Sequence, residues 1–321
     1  MSTLSRWLEQ GAPFEGLPPL PASVEKQIAD WEAFLNGDSL KHRLVSRYIF
    51  AHLFLAHLHF DSDPEHHYFR LIRSRTPPGQ PVDLVVSRRP YDDPGVERVY
   101  YRLERERETI VDKTHMPYAL GQKRMARWRE LFLKPDYRVD GLPSYAPDVA
   151  SNPFVAFAAL PTNARYQFML DEAELTIMGL INGAVCRGQV ALNVINDRFW
   201  VFFLVNGNSP QQAEAFLSRE ARLLELPTAE GSDAGIVGPW RKYAKREAEY
   251  LQAKSDALTR YAVTQRPPDL QWIWNGDGRN PNAGLTVFRH FDSASVVKGL
   301  VGEPPKTAWV IGYPLLERIH Y

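Results

Sequence analysis

The spacing of apolar residues changes from helical to period two early in this chain, and that change limits the folds open to it. From Ser39 to about Phe60 the positions Leu40, Leu44, Tyr48, Ala51, Leu55 and Leu58 step by four and three, the pattern of a helix buried on more than one side. Beyond it the period drops to two. Val82, Leu84 and Val86 alternate with Asp83 and Ser87, and Val99, Tyr101 and Leu103 alternate with Arg98, Tyr100 and Arg102. With His67 to Ser74 these predict a three-strand antiparallel meander, turned at Pro77-Pro78-Gly79 and Asp93-Pro94-Gly95. Further helices are predicted over residues 120–133, 163–181, 209–224 and 239–261, and short strands over 271–274, 285–288 and 308–311. Runs of strands and helices without βαβ alternation predict an α+β fold, mainly helical, with a small antiparallel meander and short C-terminal strands. No internal repeat shows in the sequence.

Ahead of this core, Leu4, Trp7 and Leu8 share one side of a short helix closed by Gly11. A proline-rich linker, FEGLPPLPAS, follows. Ser23 is placed to cap a second helix carrying Val24, Ile28, Trp31 and Leu35, which stops at Asn36-Gly37. The first residues lack the basic and apolar regions of a secretory signal. The most apolar stretch, Tyr48 to Phe60, is too short for the ~20 residues that span a bilayer.

Charge and cysteine content remove several function classes. Lys and Arg number 38 and Asp and Glu 38, so no bulk basic excess draws the chain to nucleic acid or to an anionic membrane surface. One cysteine, Cys186, excludes an internal disulfide framework, a CxxCH haem attachment and a multi-cysteine zinc site. No GxSxG, GxGxxG, Walker A or HExxH motif occurs.

Three constellations remain. Histidines cluster at His52, His57, His59, His66 and His67. His52 and His59, seven apart on one predicted helix, lie roughly 10 Å apart along its axis, too far to share a metal ion. Buried hydrogen bonding is the simpler role, and no metal site is assigned. Arginines crowd the meander, among them Arg73 and Arg75, where a guanidinium fork matches a carboxylate. Neighbouring acids such as Asp92 and Glu104 allow a solvated salt-bridge lattice instead. Cys186 sits between Gly183 and Gly188 beside Arg187, surroundings that favour thiolate, although a lone cysteine also serves as a small buried hydrophobe.

Several long strings carry a resemblance. RYIFAHLFLAHLHF at 47–60, FRLIRSRTPPGQPVDLVVSRRPYDDPG at 69–95, KTHMPYAL at 113–120, the stretch from ARYQFML to RFWVFF at 164–203, and LTVFRHFDSASVVKGLVGEPPKTAWVIGYPLLERIHY at 285–321 together resemble the bacterial fatty acid cis/trans isomerase family. The resemblance implies a periplasmic isomerase that converts cis to trans double bonds in unsaturated fatty acids, in membrane adaptation and solvent tolerance. It also implies haem c on an upstream domain of the same polypeptide, with none attached within this chain. Residues 1–15 are then expected to be the end of a cytochrome-c-like module, 16–38 a linker and helix, and 39–321 the isomerase core, truncated at its C-terminal end.

In that reading this chain supplies the acyl-binding core. The partners are unsaturated fatty acids and the upstream haem domain, with peripheral membrane contact allowed and nucleic acid excluded. Arg73, Arg75, Arg187 and Tyr166 are the expected substrate-binding residues. A thiol-dependent route would centre on Cys186 with His115 or His290 as base, and in a radical version the sulfur of Cys186 adds reversibly to the alkene with haem as oxidant. The aromatic strings Phe199 to Phe203 and Trp272-Ile273-Trp274 suit an acyl slot or ordinary core. The alternative to an isomerase is a noncatalytic lipid-binding or interaction module.

Overall fold

Ser39 starts the first long core helix: its Oγ accepts the backbone N–H of His42, satisfying one of the donors that a helix start leaves open. Ser39→Ala is expected to cost about 1 kcal/mol in urea denaturation, the usual loss for such a cap. The computed structural model that places it describes residues 2–12, 16–107, 116–182, 197–206, 210–225, 237–264, 269–290 and 293–321.

The first half runs α1 (Thr3–Glu9), α2 (Ala22–Leu35), α3 (Leu40–Leu53), β1 (His57–Phe60), β2 (Phe69–Ser74), β3 (Tyr100–Arg105), β4 (Pro117–Leu120) and α4 (Gln122–Trp128), which continues as a π-helical turn over Arg129–Leu133. The strands form one sheet in the order β3-β2-β1-β4, with β1 and β4 parallel and the other pairs antiparallel. Strand β3 is an edge, and α2 covers it. The Glu32 carboxylate takes Leu103 N and Arg102 Nε, while the Asn36 amide bonds both Tyr101 N and Tyr101 O. Backbone groups that would template another strand are thereby satisfied.

Short helices α5 (Pro147–Ala150) and α6 (Pro153–Ala156) lead into the second half: α7 (Thr162–Asp171), α8 (Ala173–Asn182), β5 (Arg198–Phe203), α9 (Pro210–Glu220), α10 (Val237–Thr264), β6 (Gly284–Arg289), β7 (Ala294–Lys298), β8 (Ala308–Ile311) and α11 (Leu315–His320). Its sheet has the order β7-β6-β5-β8, again with the outer pair β5 and β8 parallel and the others antiparallel.

The two halves repeat one four-stranded unit that the sequence does not announce. In each, the first strand lies inside the sheet, two antiparallel strands follow on one side, and the fourth returns parallel on the other. A glycine follows the fourth strand in both, and a Cβ there would strike the residue just after the first strand: Asp61 Oδ2 at 2.5 Å from Gly121, and Leu204 Cδ1 at 2.7 Å from Gly312. The helices echo each other too, with Arg47-Tyr48-Ile49-Phe50 on α3 and Arg165-Tyr166-Gln167-Phe168 on α7. Both arginines collect carbonyls of the connector between the halves, Arg47 those of Pro143 and Ser144, Arg165 those of Pro153 and Phe157. One hydrophobic core spans both sheets.

The α+β class and mainly helical composition stand, while several local expectations are corrected. The helix from Ser39 ends at Leu53, and His57–Phe60 is a strand because pairing with β4 outweighs the helical spacing. The antiparallel meander is instead a mixed sheet: residues 82–87 pair with it only at a bridge from Leu84 to Ser74, and β2 pairs directly with β3. The helix expected over 163–181 breaks at Glu172. Pro21, not Ser23, caps α2. Residues 270–272 form a 3-10 turn rather than a strand. Of the two roles open to the aromatic strings, core is the one taken by Phe199, Val201 and Phe203, the buried face of β5, and by Trp274, buried beside them.

Candidate functional site

Two sites stand out, one open and one sealed. The open one is a groove of about 510 Å³ over β2. The end of α3 and the start of β1 supply Phe50, Phe54, Leu55 and His57, and residues 84–87 form the opposite wall. Met116 lines it ahead of β4. Apolar walls of this length suit a long aliphatic chain.

The groove also carries cations. Arg73, 2% exposed, lines it with its guanidinium held by Asp92 O at 2.7 Å and by Ser87 Oγ, and lies over the Phe50 ring at 5.3 Å. Both hydrogen-bond partners are neutral, Nε has none, and among the described residues no carboxylate pairs with this buried charge. Burying a cation without an acid is costly, so an anionic ligand there would gain what the protein leaves uncompensated. The loop that orients Arg73 is itself fixed by Asp92, whose carboxylate takes Arg88 N, Arg89 N and Arg89 Nε. Burial alone would raise the Asp92 pKa, but these bonds hold it below the usual range. Elsewhere along the groove His57 Nδ1 meets Glu106 Oε1 at 2.5 Å, and Arg70 lies 3.6 Å from the same oxygen.

The sealed site joins the halves. Arg165 on α7 and Glu317 on α11, 3% and 0% exposed, form a two-pronged ion pair with Nη2 to Oε2 at 2.8 Å and Nε to Oε1 at 3.3 Å. The Tyr313 hydroxyl donates to the same carboxylate. Burial and then the Glu317 charge raise the Tyr48 pKa well above its ordinary value. His52 on α3 donates from Nδ1 to Tyr48 O at 2.8 Å, leaving Nε2 as a lone-pair nitrogen 3.8 Å from Glu317 Oε1. His320 stacks on His52 at 4.6 Å, donates from Nε2 to His52 O and accepts from Thr176 at Nδ1. Burial drives both histidines down to about 3, so both are neutral near pH 7.

Of the residues expected from sequence, Arg73 lines the groove. Arg75 does not: it binds Asp83 Oδ1 at 2.9 Å and Leu84 O at 3.1 Å. Tyr166 lies in the second half, where its hydroxyl donates to Leu204 O at 2.7 Å. His290 ends β6, its Nε2 against Ser295 Oγ at 2.9 Å. Cys186, Arg187 and His115 lie outside the described residues. The sealed network was not expected, although its members sit in the strings at 47–60, 164–203 and 285–321; buried charged and aromatic residues in those strings were the available signal. Among the described residues no group of His, Cys, Asp and Glu could hold a metal ion, and no helix is long and apolar enough to cross a membrane.

Over residues 1–321 the chain matches the family model described as fatty acid cis/trans isomerase (CTI). No curated protein and no solved structure matches it.

Proposed function

The chain belongs to the fatty acid cis/trans isomerase family, and from that premise we propose that the groove over β2 receives the acyl chain of a cis-unsaturated fatty acid while Arg73 receives its carboxylate. The observation that carries this reading is the Arg73 guanidinium, buried in an apolar groove wall without an acidic partner. Cis-to-trans conversion opens the π bond and re-forms it between the same carbons with no net proton transfer, and the tasks assigned to the groove residues are to bind the chain, orient it and exclude water. Phe50, Phe54, Leu71 and Val85 supply the dry walls. Arg73 sets the direction in which the chain enters, and Ser87 and Asp92 O hold the guanidinium in place.

The resemblance brings haem c with it on an upstream segment, and the sequence given holds no motif for its covalent attachment. Thioether attachment takes two cysteines in CxxCH, and the sequence has Cys186 alone. Among the described residues, His52 and His320 are not free to act as axial ligands: both ring nitrogens of His320 are hydrogen-bonded, and Nε2 of His52 faces the Glu317 carboxylate.

The test compares a long-chain cis-monounsaturated acid with its methyl ester by calorimetry. A hydrogen bond to a charged group contributes about 1.5–3 kcal/mol, so the acid is expected to bind roughly 10- to 100-fold tighter. Arg73→Met, with its fold checked by melting, is expected to erase that difference while leaving ester binding intact. Equal affinity of the wild type for acid and ester would sink the anchor. Gas chromatography of the incubated acid then separates an isomerase, which accumulates the trans form, from a module that binds lipid without turning it over.

A further inference from the structure

Met116 holds an unusual position for its residue type. Its φ of 49° lies in the left-handed region, which an unbranched, bulky side chain seldom enters, yet it is buried and lines the groove. Three contacts hold it there. Its carbonyl accepts His57 N at 3.0 Å, its N–H points at Met178 Sδ at 3.2 Å, and its methyl lies 3.4 Å from where a Cβ on Gly179 would sit. Met178 and Gly179 belong to α8, so a helix of the second half closes a groove built by the first.

We propose that Met116, seated on Gly179, is the floor of the acyl groove and sets the length of chain it accepts; the inference rests on the acyl-groove reading given above. A thioether is an adaptable wall, able to yield to a chain slightly too long. The glycine is what lets it retreat. With no side chain on α8 at that point, the methyl packs onto the helix instead of standing in the groove. Shortening Met116 therefore opens the groove toward α8. A Cβ at Gly179 would lie in ordinary contact with the Met116 methyl, so alanine, which also suits a helix better than glycine, leaves the thioether in place, whereas the larger valine pushes it back into the groove.

The experiment titrates the wild type, Met116→Ala, Gly179→Ala and Gly179→Val with cis-monounsaturated acids of increasing length. Each additional methylene buried in the groove is expected to tighten binding roughly fourfold until the floor is met, after which affinity stops rising. In Met116→Ala the plateau moves to chains about two carbons longer, since removal of three heavy atoms makes room for them. In Gly179→Val it moves to shorter chains, while Gly179→Ala, whose Cβ fits at ordinary contact distance, keeps the wild-type plateau. Identical length profiles in all four proteins, with binding retained, overturn the floor and leave the groove standing. If the wild type binds no acid of any length, both readings fall.

Discussion

Replacing Glu317 with glutamine is expected to lower the unfolding free energy by about 3–5 kcal/mol, the usual result of removing one partner from a buried ion pair. Arg165 is the reason. It is 3% exposed and cannot shed its charge: burial would lower its pKa, but Glu317 and the neighbouring tyrosines raise it instead. Glutamine preserves shape and offers one carbonyl where the carboxylate takes both prongs of the guanidinium and the Tyr313 hydroxyl. The exposed pair Lys26–Asp30 gives the contrast, and Asp30→Asn is expected to change stability by less than about 1 kcal/mol. Because well-packed apolar residues can replace a buried pair, Arg165→Met combined with Glu317→Leu is expected to cost less than the two single changes added together. Urea denaturation measures all five variants, the two single changes included. A loss from Glu317→Gln no larger than that from Asp30→Asn would show that the buried pair does not stabilise the fold.

This network marks where reading a sequence stops. Local patterns were legible when one element decided them: the apolar spacing of α3, the turn after Leu53 aside, follows from a helix packed on several sides, and residues 308–311 pair as a strand as expected. Patterns decided by a distant partner were not. His57–Phe60 fits a helix or a strand equally well until β4, nearly sixty residues later by the register of His57 with Pro117, is set beside it. Arg165 and Glu317 are separated by 152 positions, and nothing local tells either that it will be buried against the other. Duplication was hidden for a related reason. Strand order and a glycine after the fourth strand are conserved between the halves by backbone geometry, which constrains few side chains. Arg73 could be picked out in the sequence as a candidate because arginine on alternate positions of a strand suggests an anion; that its acidic neighbour Asp92 turns its carboxylate to Arg89 was not legible. Met116 carried no signal, since a left-handed φ at methionine is imposed from outside.

Acidification is expected to unfold the protein well before its carboxylates titrate, through His52 and His320. Both have a folded pKa of about 3 against an ordinary 6.5, so between those values the unfolded chain binds two protons that the native state refuses. Stability therefore rises with pH across this window and is fully present above about 6.5. Each histidine contributes a slope of about 1.4 kcal/mol per pH unit, and the pair about 3. His42 and His59, lowered chiefly by burial, act in the same direction with smaller shifts. Asp63 and Asp92 cannot be the cause near pH 5: hydrogen bonds hold their folded pKa below 3.8 against burial, so their contribution is lost only as pH falls through that range. His320→Gln separates the terms. Glutamine stays neutral at every pH, so the variant is expected to lose about half of the slope between pH 6 and 4 even if it is less stable at pH 7. A wild-type unfolding free energy that stays level from pH 7 to 5 would mean that the histidines meet their protons in the native state, and the sealed site would then have to open to admit them.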